Sequence, residues 1–186
     1  MMLNKVIGFT GLAGSGKSTA AHTLLKAEAR YQSYSFAAPV YDAASKIFDV
    51  SLSYLRTHKR EDKPHPFWKL TAREMLQQVG TEAGRNIFGE DIWIRHLENR
   101  VKKAELPMNA IILIDDVRFE NEAVWVRNHG GLVHVIRTET EEETPEHASE
   151  HRLPIWDQDF ILENPPSLSL LGFQTQVFKL YNKGAF

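Results

Sequence analysis

Cysteine is absent from the 186 residues, which excludes a disulfide framework, a thiolate nucleophile and a Cys-based zinc site. Long apolar runs are missing too. The longest clean aliphatic stretch, Ala110 to Ile114, falls far short of the ~20 residues that span a bilayer. There is no basic excess: 22 Lys and Arg stand against 24 Asp and Glu, a formal net charge of -2. A sequence-independent binder of nucleic acid polymers would carry surplus positive charge. Eight histidines occur without H-E-x-x-H or similar spacing, so no zinc site is expected. The opening Met1-Met2-Leu3-Asn4-Lys5 lacks the pattern of a cleaved signal. The expectation is a cytoplasmic protein with neither a membrane nor a nucleic acid polymer as partner.

What remains is ordinary globular composition, with 42% hydrophobic and 25% charged residues, enough for one domain with a full core. Lys5 to Thr10 is short, apolar and closed by a glycine turn, and reads as a buried strand. A helix is expected over Gly16 to Ala29, a strand over Tyr31 to Phe36, and a helix from Pro39 to about Phe48, since proline suits a first helical turn. Thr71-x-x-Glu74 is a capping box, flanked by Leu70 and Met75 at the staple positions. Behind it Ala72, Met75, Leu76 and Val79 form a core face, with Gln78, Glu82 and Arg85 at i, i+4 and i+7 on another. A further helix runs from about Glu90 to Ala104. Ala110 to Asp115 is apolar throughout, as in a parallel strand buried on both faces. A helix over Phe119 to His129 ends at Gly130-Gly131. Strands over Leu132 to Arg137 and Phe160 to Leu162 follow, then a helix from Ser167 to about Tyr181. Five strands alternating with helices predict one three-layer α/β domain around a parallel sheet.

Gly11-Leu12-Ala13-Gly14-Ser15-Gly16-Lys17-Ser18-Thr19 matches G-x-x-x-x-G-K-[ST], with a strand before it and a helix after it. Its glycines let backbone N–H groups turn inward around phosphate oxygens, and the helix N-terminus adds partial positive charge. In such a loop Lys17 reaches the β- and γ-phosphates and the Ser18 hydroxyl ligates Mg²⁺. Asp115 and Asp116 end the most apolar strand, where a carboxylate is expected to approach Mg²⁺ through water. Adjacent side chains diverge, so one of the two at most faces the metal; a plain surface turn is the alternative.

Arg85, Arg118 and Arg137 lie near element ends. Guanidinium groups bind phosphate bidentately, although a lone arginine is more often a surface ion pair. Trp68, Trp93 and Trp125 could stack on a base; core packing is the default for a tryptophan and is assigned to Trp125. Asp91 is either a helix cap or a ligand contact. Asp49 to Leu70 reads as an irregular segment, either a surface loop anchored by Trp68 or a flap over a substrate, and its length favours the flap. The glutamates from Glu139 to Glu146 read as a solvated acidic loop. A GTPase would need Asn-Lys-x-Asp; Asn4-Lys5 and Asn182-Lys183 lack the Asp.

The combination resembles the bacteriophage-type deoxynucleoside monophosphate kinases. It is carried by the phosphate loop, Ser35-Phe36-Ala37 with Pro39, the run Arg73 to Arg85 containing Leu-Gln-x-x-Gly-Thr-Glu-x-Gly-Arg, Asp91-Ile92-Trp93, Asp116-Val117-Arg118-Phe119-Glu120-Asn121-Glu122-Ala123, His147 with Ser149-Glu150, and Asn164. Animal-type phosphomevalonate kinases look like distant relatives. The resemblance implies a nucleoside monophosphate kinase fold in a single domain over 1–186, with a substrate-binding insertion over about 49–105 and a lid over about 138–149. It also implies transfer from ATP, with Mg²⁺, to the 5′-phosphate of a deoxynucleotide. The lid is acidic where such kinases often carry arginines, which leaves Arg137 as the nearest candidate.

On that reading Gly11, Gly14, Ser15, Gly16, Lys17, Ser18 and Thr19 hold ATP, with Asn164 in the loop near adenine. Ser18 and Asp116 hold Mg²⁺. Lys17, Arg118 and Arg137 act on the transferring phosphoryl group, and Arg85 with Arg118 clamps the acceptor phosphate. Phe36, Gln78, Thr81, Asp91, Trp93 and Glu122 are the remaining acceptor-side candidates. A phosphate monoester has a second pKa of ~6, so no general base is required. A kinase for phosphomevalonate or dephospho-coenzyme A, or an ATP-binding regulator without transfer activity, would carry the same loop. A homodimer is left open, as is a host-cell cytoplasmic location for a phage-encoded chain.

Overall fold

Five short segments, Tyr31–Tyr34, Ile111–Ile114, Lys5–Thr10, Gly130–Ile136 and Phe160–Glu163, pair side by side in parallel in that order. In the computed structural model, which describes residues 4–137 and 152–182, they are β1 (Lys5–Thr10), β2 (Tyr31–Tyr34), β3 (Ile111–Ile114), β4 (Gly130–Ile136) and β5 (Phe160–Glu163). All four residues of β3 are buried, as a continuous apolar run between two sheet neighbours requires. β1 takes the centre, with Ile7 opposite Leu113 on one side and Gly131 on the other.

The chain divides into two compact units. The first consists of the described residues up to Ser35 and from Ala104 onward; it holds the whole sheet. Alternate residues of its strands face opposite ways. Ile7, Phe9, Val133 and Val135 pack with Ala20 and Leu24 of α1 (Lys17–Ala27) and with Phe173 and Val177 of the C-terminal helix Leu170–Asn182. The opposite face meets the helix Glu120–His129, where Val126 comes so close that a Cβ on Gly8 would collide with it. The five-stranded parallel α/β architecture is therefore as the sequence predicts.

Three boundaries shift. β4 begins at Gly130, opposite Val6, so the glycine pair opens the strand that it was expected only to precede. β2 stops at Tyr34 rather than Phe36. The C-terminal helix starts at Leu170, because Ser169 Oγ accepts the Gly172 N–H and supplies the first-turn cap. The acidic stretch and lid expected over 138–149 lie outside the described residues.

The second unit, Phe36–Lys103, is helical. α2 (Ala38–Ile47) carries Pro39 in its first turn. The segment expected to be irregular contains a helix, α3 (Leu52–His58), capped by Ser51, whose side chain accepts the Tyr54 N–H at 3.0 Å. Trp68 does anchor the segment: its indole N–H donates to Phe48 O at 2.7 Å and its ring meets Phe48 edge-on. The Thr71 capping box forms in full and starts α4 (Ala72–Gln77). The Thr71 backbone and hydroxyl donors hold the Glu74 carboxyl below its ordinary range. Val40, Ala44, Phe48, Leu55, Ala72, Met75 and Val79 form this unit's core.

The chain from Gln78 to Arg85 winds as a π-helix, with the Asn86 N–H reaching back five residues to Thr81 O. This corrects the face assignment. An α-helical spacing put Gln78, Glu82 and Arg85 together on a polar face, but the wider turn carries Arg85 inward, where it is 7% exposed. Trp93, in the helix Ile92–Lys103, stabilises the winding: its indole N–H donates to Gly80 O at 2.8 Å. A Cβ on Gly84 would collide with the Trp93 ring and lie 2.8 Å from Val79 O. Gly84→Ala is expected to destabilise the protein by about 1–3 kcal/mol, the usual cost of overpacking, and urea unfolding of the variant against wild type checks it.

Candidate phosphate-binding site

The loop between β1 and α1 closes on itself. The Ser15 N–H donates to Leu12 O at 3.2 Å, and the Ala20 N–H to Gly16 O at 2.9 Å. Gly11 has φ 141°, and a Cβ there would strike the Val135 carbonyl oxygen of β4. Glycine is thus required both by conformation and by the close approach of the neighbouring strand. Gly14 and Gly16 are also at positive φ. Lys17 arches back over the loop, its ammonium donating to Gly11 O and Leu12 O at 2.7 Å each. Ser18 is exposed in the first turn of α1 and Thr19 is half-buried. Glycine turns, the start of α1 and a lysine thus meet at one place, the arrangement that phosphate binding calls for.

Asn164 braces this loop. Its side-chain amide donates to Ser15 O at 2.8 Å, and its backbone N–H donates to Ile136 O at the same distance. Ser15 is 2% exposed, and its Oγ has no hydrogen-bond partner among the described residues.

Asp116 stands at the same end of the sheet, since Ile114 pairs with Gly8, three residues before the loop begins. Its Oδ2 accepts the Ser35 hydroxyl at 2.7 Å, which orients the carboxylate. Among the described residues no group of three or more His, Asp or Glu could hold a metal. Mg²⁺ suits such a place, because it binds through one or two protein oxygens, water and substrate phosphates. Ser18 and Asp116 are the residues of that kind here.

The two arginines expected to clamp one phosphate fall in different units, Arg118 in the first and Arg85 in the second. Arg118 is exposed and Arg85 buried. Glu122, a candidate acceptor contact, is 3% exposed, and its Oε2 accepts the backbone N–H groups of Arg118 at 2.9 Å and Phe119 at 3.1 Å. It caps the helix Glu120–His129 and fixes the turn that carries Arg118. Phe36 is buried, Thr81 and Trp93 half-buried, and Gln78 and Asp91 exposed. The Asp91 carbonyl accepts the Arg95 N–H at 2.9 Å, so this residue enters its helix through the backbone.

Beside the loop lies a cleft of about 70 Å³. Thr10 to Ala13 and Ser15 form one wall, His134 to Arg137 another, and Arg152, Leu153 and Ile155 a third. Arg137 lies there, with Arg152 and His134, which the sequence reading did not single out as site residues. Behind the third wall, Asp159 has a side chain with no exposure and engages Arg127 through a two-pronged contact, Nε to Oδ1 at 2.9 Å and Nη2 to Oδ2 at 2.7 Å. The Trp156 N–H and His134 Nε2 each lie 2.9 Å from Oδ2. Partners up to 32 residues apart leave no linear motif, so sequence reading missed them.

The parallel sheet and the lysine-bearing loop define a P-loop protein of the kinase-like class. A family model for deoxynucleotide monophosphate kinase matches residues 57–174, and the chain belongs to that family. The match begins beyond the phosphate loop, so loop and match are separate signals. A putative deoxynucleotide monophosphate kinase of Acanthamoeba polyphaga mimivirus is 33% identical over 140 residues, covering 69% of this chain and 71% of the relative. Deoxynucleoside-5′-monophosphate kinase of Escherichia phage T5 is 26% identical, covering 68% and 74%. Among solved structures, TT1252 from Thermus thermophilus covers 99% of both chains at 17% identity with a TM-score of 0.53, a likeness of fold. No described helix is long and apolar enough to cross a membrane.

Burial pushes the Asp159 carboxyl up, but hydrogen bonds from Arg127, the Trp156 backbone and His134 outweigh it and hold the pKa at about 2. The unfolded value is ~3.9. A folded pKa below the unfolded one stabilises fully above the unfolded value and loses that contribution as pH falls through the folded one. The stability gap between wild type and Asp159→Asn should therefore be constant above about pH 5 and shrink between about pH 4 and 2. Urea unfolding across pH checks this; a gap that widens in acid would overturn it.

Proposed function

We propose that this chain transfers the γ-phosphoryl group of Mg-ATP to the 5′-phosphate of a deoxynucleoside monophosphate, giving a diphosphate and ADP. The observation that carries the reading is a phosphate loop with Lys17 folded over it, in a chain whose residues 57–174 match the deoxynucleotide monophosphate kinase family. The loop backbone and Lys17 hold the donor phosphates. Mg²⁺ bound at Ser18 and Asp116 would neutralise charge on those phosphates. Arg118 and Arg137 offset the charge of the group in flight, and Arg118 also serves the acceptor phosphate. An acceptor oxygen already ionised near neutral pH needs no base, so positioning and electrostatics supply the catalysis.

The helical unit is proposed to read the acceptor. Gln78, Thr81 and Asp91 offer polar groups at its surface. Phe36, Arg85 and Trp93 support them from within.

Two measurements test the reading. Lys17→Ala should lower turnover at least a hundredfold, about 2.7 kcal/mol or more, with a melting temperature close to wild type. Near-normal turnover would remove the phosphate-loop assignment. A panel of acceptors with Mg-ATP should give diphosphates from deoxynucleoside monophosphates in preference to their ribose forms. An added 2′-hydroxyl left unpaired costs about 1–3 kcal/mol, roughly five- to hundredfold in kcat/KM. Preferred turnover of phosphomevalonate or dephospho-coenzyme A would replace the acceptor. ADP release indifferent to every acceptor would make the chain a regulator.

A further inference from the structure

The limb 152–159 carries no helix or strand until β5 begins at Phe160, yet it supplies one wall of the cleft beside the phosphate loop through Arg152, Leu153 and Ile155. Its placement converges on one guanidinium. Arg127 Nη2 donates to Pro154 O at 2.9 Å and to Asp159 Oδ2 at 2.7 Å. The Trp156 ring lies over the same group, 3.9 Å from ring centre to the guanidinium carbon. The Trp156 N–H closes the limb onto Asp159. Arg127 belongs to the helix Glu120–His129 and His134 to β4, so Asp159 joins limb, helix and sheet at a single carboxylate. His134 also lines the cleft, which makes the network continuous with the cleft surface.

A buried ion pair is a poor source of stability, because desolvation offsets most of its attraction and well-packed apolar groups often do as well. What a two-pronged guanidinium–carboxylate contact supplies is direction. We propose that Asp159 is a positioning residue for nucleotide binding: through Arg127 and His134 it fixes the limb 152–159 as the wall that presents Arg152 and Ile155 across the cleft from Gly11 to Ser15. The proposal rests on the kinase reading for the identity of the ligand. It assigns Asp159, Arg127 and Trp156 no contact with that ligand.

The test is calorimetric titration of the full chain with Mg-ATP without acceptor, alongside thermal unfolding and amide exchange over residues 153–163. Asp159→Asn should weaken ATP binding at least tenfold and speed exchange in the limb. Trp156 is 41% exposed, so Trp156→Ala avoids leaving a buried charge unpaired. It should weaken binding about fivefold with the melting transition retained, and Trp156→Phe should restore affinity to within twofold. At saturating ATP the acceptor KM of these variants should stay within twofold of wild type, a split that general loosening would not produce. Unchanged ATP affinity in Asp159→Asn and Trp156→Ala, or no rescue by phenylalanine, overturns the latch. A wild-type chain that does not bind Mg-ATP overturns the kinase reading and this proposal with it, and that outcome shows before any substitution is made.

Discussion

Everything chemical in the sheet-bearing unit follows from parallel strands with β1 at their centre. Parallel pairing sends the carboxyl ends of all five strands to one edge, and ligands of open α/β sheets bind outside that edge. β1 ends in the phosphate loop, β3 in Asp116, β4 in Arg137 and β5 in Asn164. No linear proximity is needed, because register does the assembly: Ile114 opposite Gly8 sets Asp116 level with the loop. The Val135 carbonyl comes so close to Gly11 that only glycine fits there, which lets β4 crowd the loop from the other side. Moving β1 to an edge would leave the loop with a neighbour on one side only, and either the Ser35–Asp116 contact side or the Val135–Asn164 side would be lost.

The parts readable from sequence are those whose signal is local. The phosphate loop is a fixed spacing of glycines, a lysine and a hydroxyl. The Thr71 box is two residues three apart, and it forms with both of its hydrogen bonds. Apolar runs of strand length marked the strands at Lys5, Ala110 and Leu132. The same local logic could have found two more features. Ser51 before Leu52-Ser53-Tyr54-Leu55 is an N-cap ahead of an apolar pair, and it starts α3. Phe119-x-x-Glu122 is half of a capping box, with the glutamate reaching back to the backbone, which explains a buried carboxylate without any ligand.

Other features were invisible for a physical reason. Arg85 reads as outward only if the helix keeps 3.6 residues per turn, and nothing within Gln78 to Arg85 announces a wider winding. The determinant is remote: Trp93 satisfies the Gly80 carbonyl and lies against Gly84. The two glycines at i and i+4 were part of the recognised motif, yet their meaning depends on the bulky rings and branched chains opposite them, Trp93 at Gly84 and Val40 at Gly80. A motif thus marked the right residues while its packing function stayed hidden. Trp93 shows the same limit, since neither its N–H bond to the Gly80 carbonyl nor its ring against Gly84 is announced by the sequence.

Phosphoryl transfer gives these structural details their weight. The transition state spreads charge over several oxygens, so the protein must place fixed dipoles and cations ahead of time rather than reorganise them during reaction. Three places at this end of the sheet carry a brace. Asn164 holds the Ser15 carbonyl, Ser35 holds Asp116, and Glu122 holds the turn bearing Arg118. Those braces are short polar side chains reaching backbone or carboxylate at 2.7–2.9 Å, geometry that leaves little freedom to the group they restrain. Long flexible side chains such as Lys17 and Arg118 sit at the ends of this scaffold, where reach matters more than rigidity. The division of labour is the one that charge stabilisation demands: backbone and braced polar side chains fix the scaffold, and long cationic side chains reach out from it.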